Sequence, residues 1–347
     1  MAELEFTGFI FNILLIAISF VVLNWASNTA INNAIKVAKI TQLGKTAIGF
    51  SLIAFSTSLP ELTVALIASF SGGASLSVGN VLGSNIINIC VIMGIATLLL
   101  YLRCYRKKKT NSSSTQENSC SEINVLHGFA KSELNNINFG LFISSIIPMV
   151  LIYINSATWI VGLILISIFI VYIYQLSKIR MPQEGEEATE EEKRKIKKIV
   201  ALTIVSVLGV VLSAFFLVES AVGIAETIGI PQTIIGATII ALGTSLPELT
   251  LDLKSFLRGH TGLALGDIIG SSFVNITLIL GVTLFVPALL GSPLTMNMGV
   301  FQNLIVFSII ANLLFWYFLS REKIGWKEGV VFLFVYALFL ASTLGFV

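Results

Sequence analysis

A ten-residue stretch with a proline and a glutamate at its centre occurs twice in this chain, each time inside an apolar run, at an offset of 187 residues. The first copy, Ala54-Phe-Ser-Thr-Ser-Leu-Pro-Glu-Leu-Thr63, and the second, Ala241-Leu-Gly-Thr-Ser-Leu-Pro-Glu-Leu-Thr250, agree at eight of ten positions. A second pair keeps the offset: Gly79-Asn-Val-Leu-Gly-Ser-Asn-Ile-Ile-Asn88 and Gly266-Asp-Ile-Ile-Gly-Ser-Ser-Phe-Val-Asn275. Two motifs per half at one constant spacing make the chain an internal duplication. Its fold must therefore be assembled from two copies of one unit.

That unit belongs in a bilayer. A mean hydropathy of +0.92 with only 12% charged residues over 347 positions excludes an ordinary soluble globule. Apolar runs of spanning length fall at about residues 7–24, 47–70, 77–101, 138–154, 158–176, 199–218, 232–256, 263–289, 299–319 and 328–346, five in each half. They are continuous and near twenty residues, too long for tilted barrel strands of about ten residues. The first run follows acidic residues and lacks a basic leader or a clear cleavage site, so it reads as a retained helix.

All 21 lysines and arginines lie near alternate connections. They cluster at Lys36 to Lys45, Arg103 to Lys131, Lys178 to Lys198, Lys254 to Arg258 and Arg321 to Lys327. The positive-inside rule makes those connections cytoplasmic and puts both termini outside. An odd number of helices per half means that the second half enters the membrane in the opposite sense. The expected fold is an all-α integral membrane protein, ten transmembrane helices arranged as two inverted five-helix repeats. Residues 1–177 form the first repeat, with a polar linker at 103–137; 178–198 is a cytoplasmic connector and 199–347 the second repeat.

Pro60 has no N–H to offer the carbonyl of Ser56, and its ring crowds that turn, so the sequence predicts carbonyls near Ser56 and Thr57 without helical partners. Glu61 is beside them. Freed carbonyls, the hydroxyls of Thr57 and Ser58, and one carboxylate describe half of a hard-cation site, and the duplication supplies the other half. A plainer reading is a kinked helix whose glutamate pairs with a lysine, but no basic residue lies at midplane depth in any run. Carboxylates held there without a base must bind cations or carry protons. In Gly-x-x-x-Gly-Ser the glycines allow close helix packing, which would bring Ser84, Asn88, Ser271 and Asn275 towards the carboxylates. Two carboxylates balance one Ca²⁺, whereas Mg²⁺ would resist dehydration.

At these residues the chain resembles the calcium/cation antiporter superfamily, and within it the prokaryotic sodium/calcium exchangers, over essentially its whole length. It is less similar to the proton/calcium branch, which carries Gly-Asn-x-x-Glu in place of Gly-Thr-Ser-x-Pro-Glu. The resemblance implies Ca²⁺ on Glu61 and Glu248 with the carbonyls of Thr57 and Thr244. It implies Na⁺ sites on either side, one at the Ala54 carbonyl with Ser58 and Ser271, the other at the Ala241 carbonyl with Ser245 and Ser84. Asn88 and Asn275 would hold the middle position. The implied activity is Na⁺/Ca²⁺ antiport by alternating access in the plasma membrane, with the first helix of each half sliding past the bundle; a proton-driven Ca²⁺ exchanger is the alternative. Ca²⁺, Na⁺ and the lipid bilayer are the expected partners, with no nucleic acid and no cofactor. Intramembrane hydrolysis is disfavoured because no placed His, Lys or second Asp would activate a nucleophile.

Two acids break the repeat symmetry: Asp252 and Asp267 stand where the first half has Ala65 and Asn80. They read as an inner vestibule that concentrates divalent ions, with a helix-end pairing of Asp267 to Arg258 as an equal alternative. The cysteines lack zinc-like spacing and give no disulfide framework. Glu184 to Lys198 reads as a solvated connector.

Overall fold

The computed structural model describes residues 2–41, 45–71, 74–110, 122–123, 131–154, 156–178, 194–227, 241–291, 295–321 and 324–343. The connector acids and most of the polar linker lie outside these residues. The described chain is helical: α1 (Ala2–Thr41), α2 (Leu59–Ser71), α3 (Ala74–Ile86), α4 (Met93–Thr110), α5 (Lys131–Ile154), α6 (Trp159–Lys178), α7 (Ile196–Thr227), α8 (Leu246–Leu257), α9 (Thr261–Val274), α10 (Leu280–Leu289), α11 (Gln302–Ser320) and α12 (Trp326–Thr343). Among the described residues, six helical stretches are long and apolar enough to cross a membrane, and two shorter apolar ones cover Asn138–Tyr153 and Trp159–Gln175. The Pro-Glu stretches fall outside that set because each is interrupted. Ahead of α2 the chain runs through Lys45–Ile48, a π-turn at Gly49–Ile53 and the short helix Ala54–Thr57; ahead of α8 stands Ala241–Thr244.

The first helix is longer than the apolar run at 7–24 that announced it, and it carries Lys36 and Lys39 in its own final turns. The cause is a packed stripe that runs on past the apolar run. Ala26, Ala30, Ala34, Val37 and Ala38 are buried at helical spacing, while the intervening Asn and Lys lower the local hydropathy without interrupting the helix. This small-residue stripe lies along α7, where Gly209 admits Ala26 and Val207 and Val210 are buried. Small side chains allow two helices to approach closely in a medium where apolar attraction does not pull them together. The opposite face of α1 presents Phe11, Leu14, Ile18, Val21 and Trp25, as lipid requires.

Contacts between the halves are reciprocal. The first helices, α1 and α7, pair with each other, and so do the fourth, α5 and α11; α2 packs on α10 and α8 on α4. Gly281 of α10 meets the backbone of Gly162 in α6, and Gly94 of α4, 187 positions earlier, meets Gly329 of α12 in the same way. A Cβ at Gly162 would stand 2.7 Å from the Gly281 carbonyl. The short strands follow suit: β1 (Glu122–Ile123) pairs antiparallel with β4 (Ile324–Gly325), and β2 (Ser156–Thr158) with β3 (Thr295–Asn297).

The second motif of each half also deforms alike, with π-turns at Ile87–Ile92 and Asn275–Ile279 in the course of otherwise α-helical rods. Such turns rotate the helix face and gather at functional sites. Gly270 lies against Phe50 and Ala54, and Gly49 against Leu263 and Gly266, so the glycines of the second motif are what let α9 touch the segment that ends in the first Pro-Glu break. Around this crossing Phe273 stacks obliquely on Tyr172 and Phe50. Cys104 is disulfide-bonded, a bond that the cysteine spacing does not foretell.

Candidate cation site

Each Pro-Glu helix breaks at a single residue. Ser58 has φ −80° and ψ 9°, and Ser245, its equivalent, has φ −90° and ψ 6°. Backbone bonds continue around the break: Ser58 N–H donates to Ala54 O and Leu62 N–H to Ser58 O, each at 3.0 Å, and Leu249 N–H to Ser245 O at 3.0 Å. Pro60 and Pro247 occupy the second position of α2 and α8, where an N–H is not needed within the helix. The carbonyls four residues back, of Ser56 and Gly243, lose the donor that any other residue would supply. Glu61 and Glu248 follow at the third position, in the first turn, where the helix dipole favours a negative charge.

Both glutamates are 1% exposed. Glu61 Oε1 accepts from Ser84 Oγ at 3.3 Å. Glu61 Oε2 and both carboxylate oxygens of Glu248 have no hydrogen-bond partner among the described residues. The same holds for Ser58 Oγ, Ser245 Oγ, both amide atoms of Asn88 and Oδ1 of Asn275. All of these side chains are buried. Polar atoms removed from water are ordinarily paired, so this set of orphaned atoms, all oxygens apart from Asn88 Nδ2, on two broken helices and their glycine-bearing neighbours is the observation that marks the site. Its donors are oxygens throughout, as Na⁺ and Ca²⁺ require and as soft metals do not.

The remaining predicted ligands are placed as follows. Ala54 O accepts from Ser58 N–H and, at 3.2 Å, from Thr57 Oγ1; Thr57 Oγ1 also reaches Ile53 O at 3.2 Å and Asp267 Oδ1 at 3.3 Å. Ala241 and Thr244 bound the one-turn helix before the second break. Ser271 turns to Asp267, donating from Oγ to Oδ1 at 3.3 Å. Asn275 spends its Nδ2 on Asn85 Oδ1 at 3.1 Å, and Asn85 Nδ2 leans on the carbonyl of its own repeat equivalent, Ser272, at 3.5 Å. Asn85 was not among the residues that the sequence singled out. Its signal was the Asn/Ser difference between the two Gly-Ser-x triplets, which is easily passed over as packing variation.

Two expectations need correction. Asp252 and Asp267 do not line an open vestibule: each is 1% exposed. Nor does Asp267 pair with Arg258, whose Nη2 donates to Asn32 Oδ1. The reason is rotational: Asp267 and Ser271 are one turn apart on the same face of α9, and that face is turned towards Thr57. The bases at the end of α8 turn outwards to α1 instead. Lys254 Nζ reaches Asn24 Oδ1 at 2.8 Å and Ser27 Oγ at 2.6 Å. No three acidic, histidine or cysteine side chains converge as a metal cluster among the described residues.

The model of the family described as "Sodium/calcium exchanger protein" matches residues 11–178 and 198–345. The chain belongs to this family. As a sodium/calcium exchanger family member it is a multi-pass membrane protein, and its relatives include named exchangers. It is similar to the sodium/calcium exchanger MaX1 of Methanosarcina acetivorans, 29% identical, with 95% of this chain and 97% of the relative covered. It also resembles the inner membrane protein YrbG of Escherichia coli, 28% identical over 78% of each chain. Among solved structures it superposes on the sodium-calcium exchanger NCX_Mj soaked with Na⁺ at a TM-score of 0.76, 25% identical, covering 96% of this chain and 99% of that one. NCX_Mj has likewise been soaked with Ca²⁺ and with Sr²⁺.

Proposed function

We propose that this family member exchanges Na⁺ for Ca²⁺ across the plasma membrane by alternating access, at a midplane site built on Glu61 and Glu248. The observation that carries the reading is the pair of buried glutamates, equivalent in the two halves, with three of their four carboxylate oxygens unpartnered among the described residues. The basic groups that follow Glu248 at the end of α8, Lys254 and Arg258, are engaged elsewhere, by α1. Two carboxylates in a poorly solvated site need about two positive charges from an ion. One Ca²⁺ meets that need with no residual charge. Na⁺ ions bound through the same glutamates and the flanking Ser58, Ser84, Ser245, Ser271, Asn88, Asn275 and the carbonyls of Ala54, Thr57, Ala241 and Thr244 meet it as well. Shared ligands make the ions compete, and competition becomes exchange when the protein changes sides only with its charges balanced.

The alternation reads as a movement of the α1/α7 pair against the rest. That pair meets the remaining helices through apolar side chains, Ile48, Ile53, Leu251 and Leu263 among them, which can slip, and through hydrogen bonds from Lys254 and Arg258 to Asn24, Ser27 and Asn32, which must be exchanged as it moves. The reciprocal helix contacts support ten spans in two inverted five-helix repeats, with 1–177 and 199–347 as the repeating units, and the lysine and arginine distribution supports both termini outside.

Calcium uptake into sodium-loaded proteoliposomes tests the function. Uptake should follow the outward sodium gradient and vanish when choline replaces sodium. A proton-driven exchanger, the second reading, would instead take up Ca²⁺ under a pH gradient alone. Uptake independent of sodium overturns the proposal.

A further inference from the structure

We propose that Asp252 and Asp267 are the anionic ligands of a second cation site, for one divalent ion of the Ca²⁺ type, beside the glutamate pair. The proposal rests on the exchange reading only for what that site would serve. Neither acid is needed by the repeat architecture, because Ala65 and Asn80 hold the equivalent positions in the first half. Both are 1% exposed, and the two carboxyl groups face each other at close range. The Oδ2 atom of each has no hydrogen-bond partner among the described residues. The bases that follow on the same helix are turned away, Lys254 towards Asn24 and Ser27 and Arg258 towards Asn32. Two carboxyl groups brought together out of water, with no base beside them among the described residues, are held by a shared proton or by a cation that takes its place.

Groups outside the pair point to the same place. Thr57, from the opposite half, directs its hydroxyl at Asp267 Oδ1, and Ser271 directs a second hydroxyl there. Glu248, one turn before Asp252 on α8, is buried with both carboxylate oxygens unpartnered and lies close enough to interact electrostatically with both aspartates. Four carboxylate oxygens and two hydroxyls give six hard donors, the lower end of what Ca²⁺ takes. Glu61 and Glu248 are repeat equivalents, whereas Asp252 and Asp267 are additions of the second half, so the four buried acids give two pairs, each able to balance one divalent ion. Asp252 lies one turn further along α8 than Glu248, about 6 Å by helix rise. By the lysine and arginine distribution this is the cytoplasmic side, so an ion held there would stand next in line for the transport site.

The test counts ions. Purified full-length protein in sodium-free detergent is equilibrated with radioactive Ca²⁺ alone, and bound ions per chain are measured for the unmodified protein, for Asp252→Ala/Asp267→Asn and for Glu61→Gln/Glu248→Gln. The aspartate changes install the residues that the first half itself carries, which its own helices accommodate. Two ions in the unmodified protein and one in each double variant are expected. One ion in the unmodified protein, or two in the aspartate variant, overturns the second site. The unmodified count decides the matter even if the double variant fails to fold, and the single Asp267→Asn change should then weaken one of the two binding phases at least tenfold. Failure of the exchange reading has a different signature: the glutamate variant would keep sodium-driven uptake whatever the count.

Discussion

Glu61 follows Pro60, and Glu248 follows Pro247, and in both places one residue exposes what the next one uses. Proline removes a donor from the turn before it, and the glutamate adds charge where that turn's oxygens are least committed. Glu61→Gln and Glu248→Gln keep size and shape while deleting one of two charges. Loss of one charged partner from a buried arrangement costs about 3–5 kcal/mol, so sodium-driven calcium uptake by either variant should fall by about 100-fold or more, with normal elution on size exclusion. Uptake within a few-fold of the unmodified protein would remove the carboxylates from the centre. These residues were legible in the sequence because each is anomalous where it stands: a carboxylate and a proline in an apolar run need a reason. Asp267 was visible too, but not its direction. Its i, i+4 relation to Ser271 gives the face, whereas what that face meets is decided by α9 lying against the Gly49–Ala54 segment, and sequence spacing carries no such information. Asn85 escaped because a polar residue beside Ser84 has no local oddity; only its partner Asn275, 190 positions away, gives it meaning.

At the level of elements, apolar run length located the helices but understated α1, whose small-residue stripe is hidden by the polar residues between. The glycine crossings were invisible for a related reason: a glycine in an apolar helix says that something comes close without saying what. The two crossings are equivalent in the repeat yet differ in detail. At Gly162 an added Cβ meets the Gly281 carbonyl at 2.7 Å and the Phe285 nitrogen at 2.9 Å, both backbone; at Gly94 its nearest neighbours are Leu333 side-chain atoms, at 2.6 and 2.8 Å, with the Gly329 carbonyl at 3.1 Å. Backbone must move as a helix, whereas a leucine can change rotamer. Overpacking of this kind costs about 1–3 kcal/mol. Gly162→Ala should therefore lower the melting temperature in detergent more than Gly94→Ala does, and an equal or reversed order would show that the two crossings are not the rigid contacts described.

For the whole molecule, the strand pairs bear on how the halves are threaded. β1 lies between α4 and α5 and β4 between α11 and α12; β2 lies between α5 and α6 and β3 between α10 and α11. Each ribbon therefore joins one connection of the first half to one of the second. The lysines and arginines assign the β1 and β4 connections to the cytoplasm and leave those of β2 and β3 outside, and paired strands must be on the same side of a bilayer. Had the two halves entered the membrane in the same sense, an even number of spans would separate β1 from its true counterpart, and at least one ribbon would have to join opposite faces. Charge pattern and backbone pairing are independent, so their agreement is the strongest support for inverted halves. It also gives a sharp experiment. In a cysteine-free background, cysteine at the exposed Asn297, at the end of β3, should react with a membrane-impermeant maleimide added outside intact cells. Cysteine at the exposed Arg321, just before β4, should react only after the membrane is opened. Labelling of both positions from one face would show that α11 does not span, and the five-helix half on which the inversion depends would be lost; labelling of Asn297 only from inside and Arg321 from outside would put the β3 and β4 connections on the faces opposite to those the lysines and arginines assign.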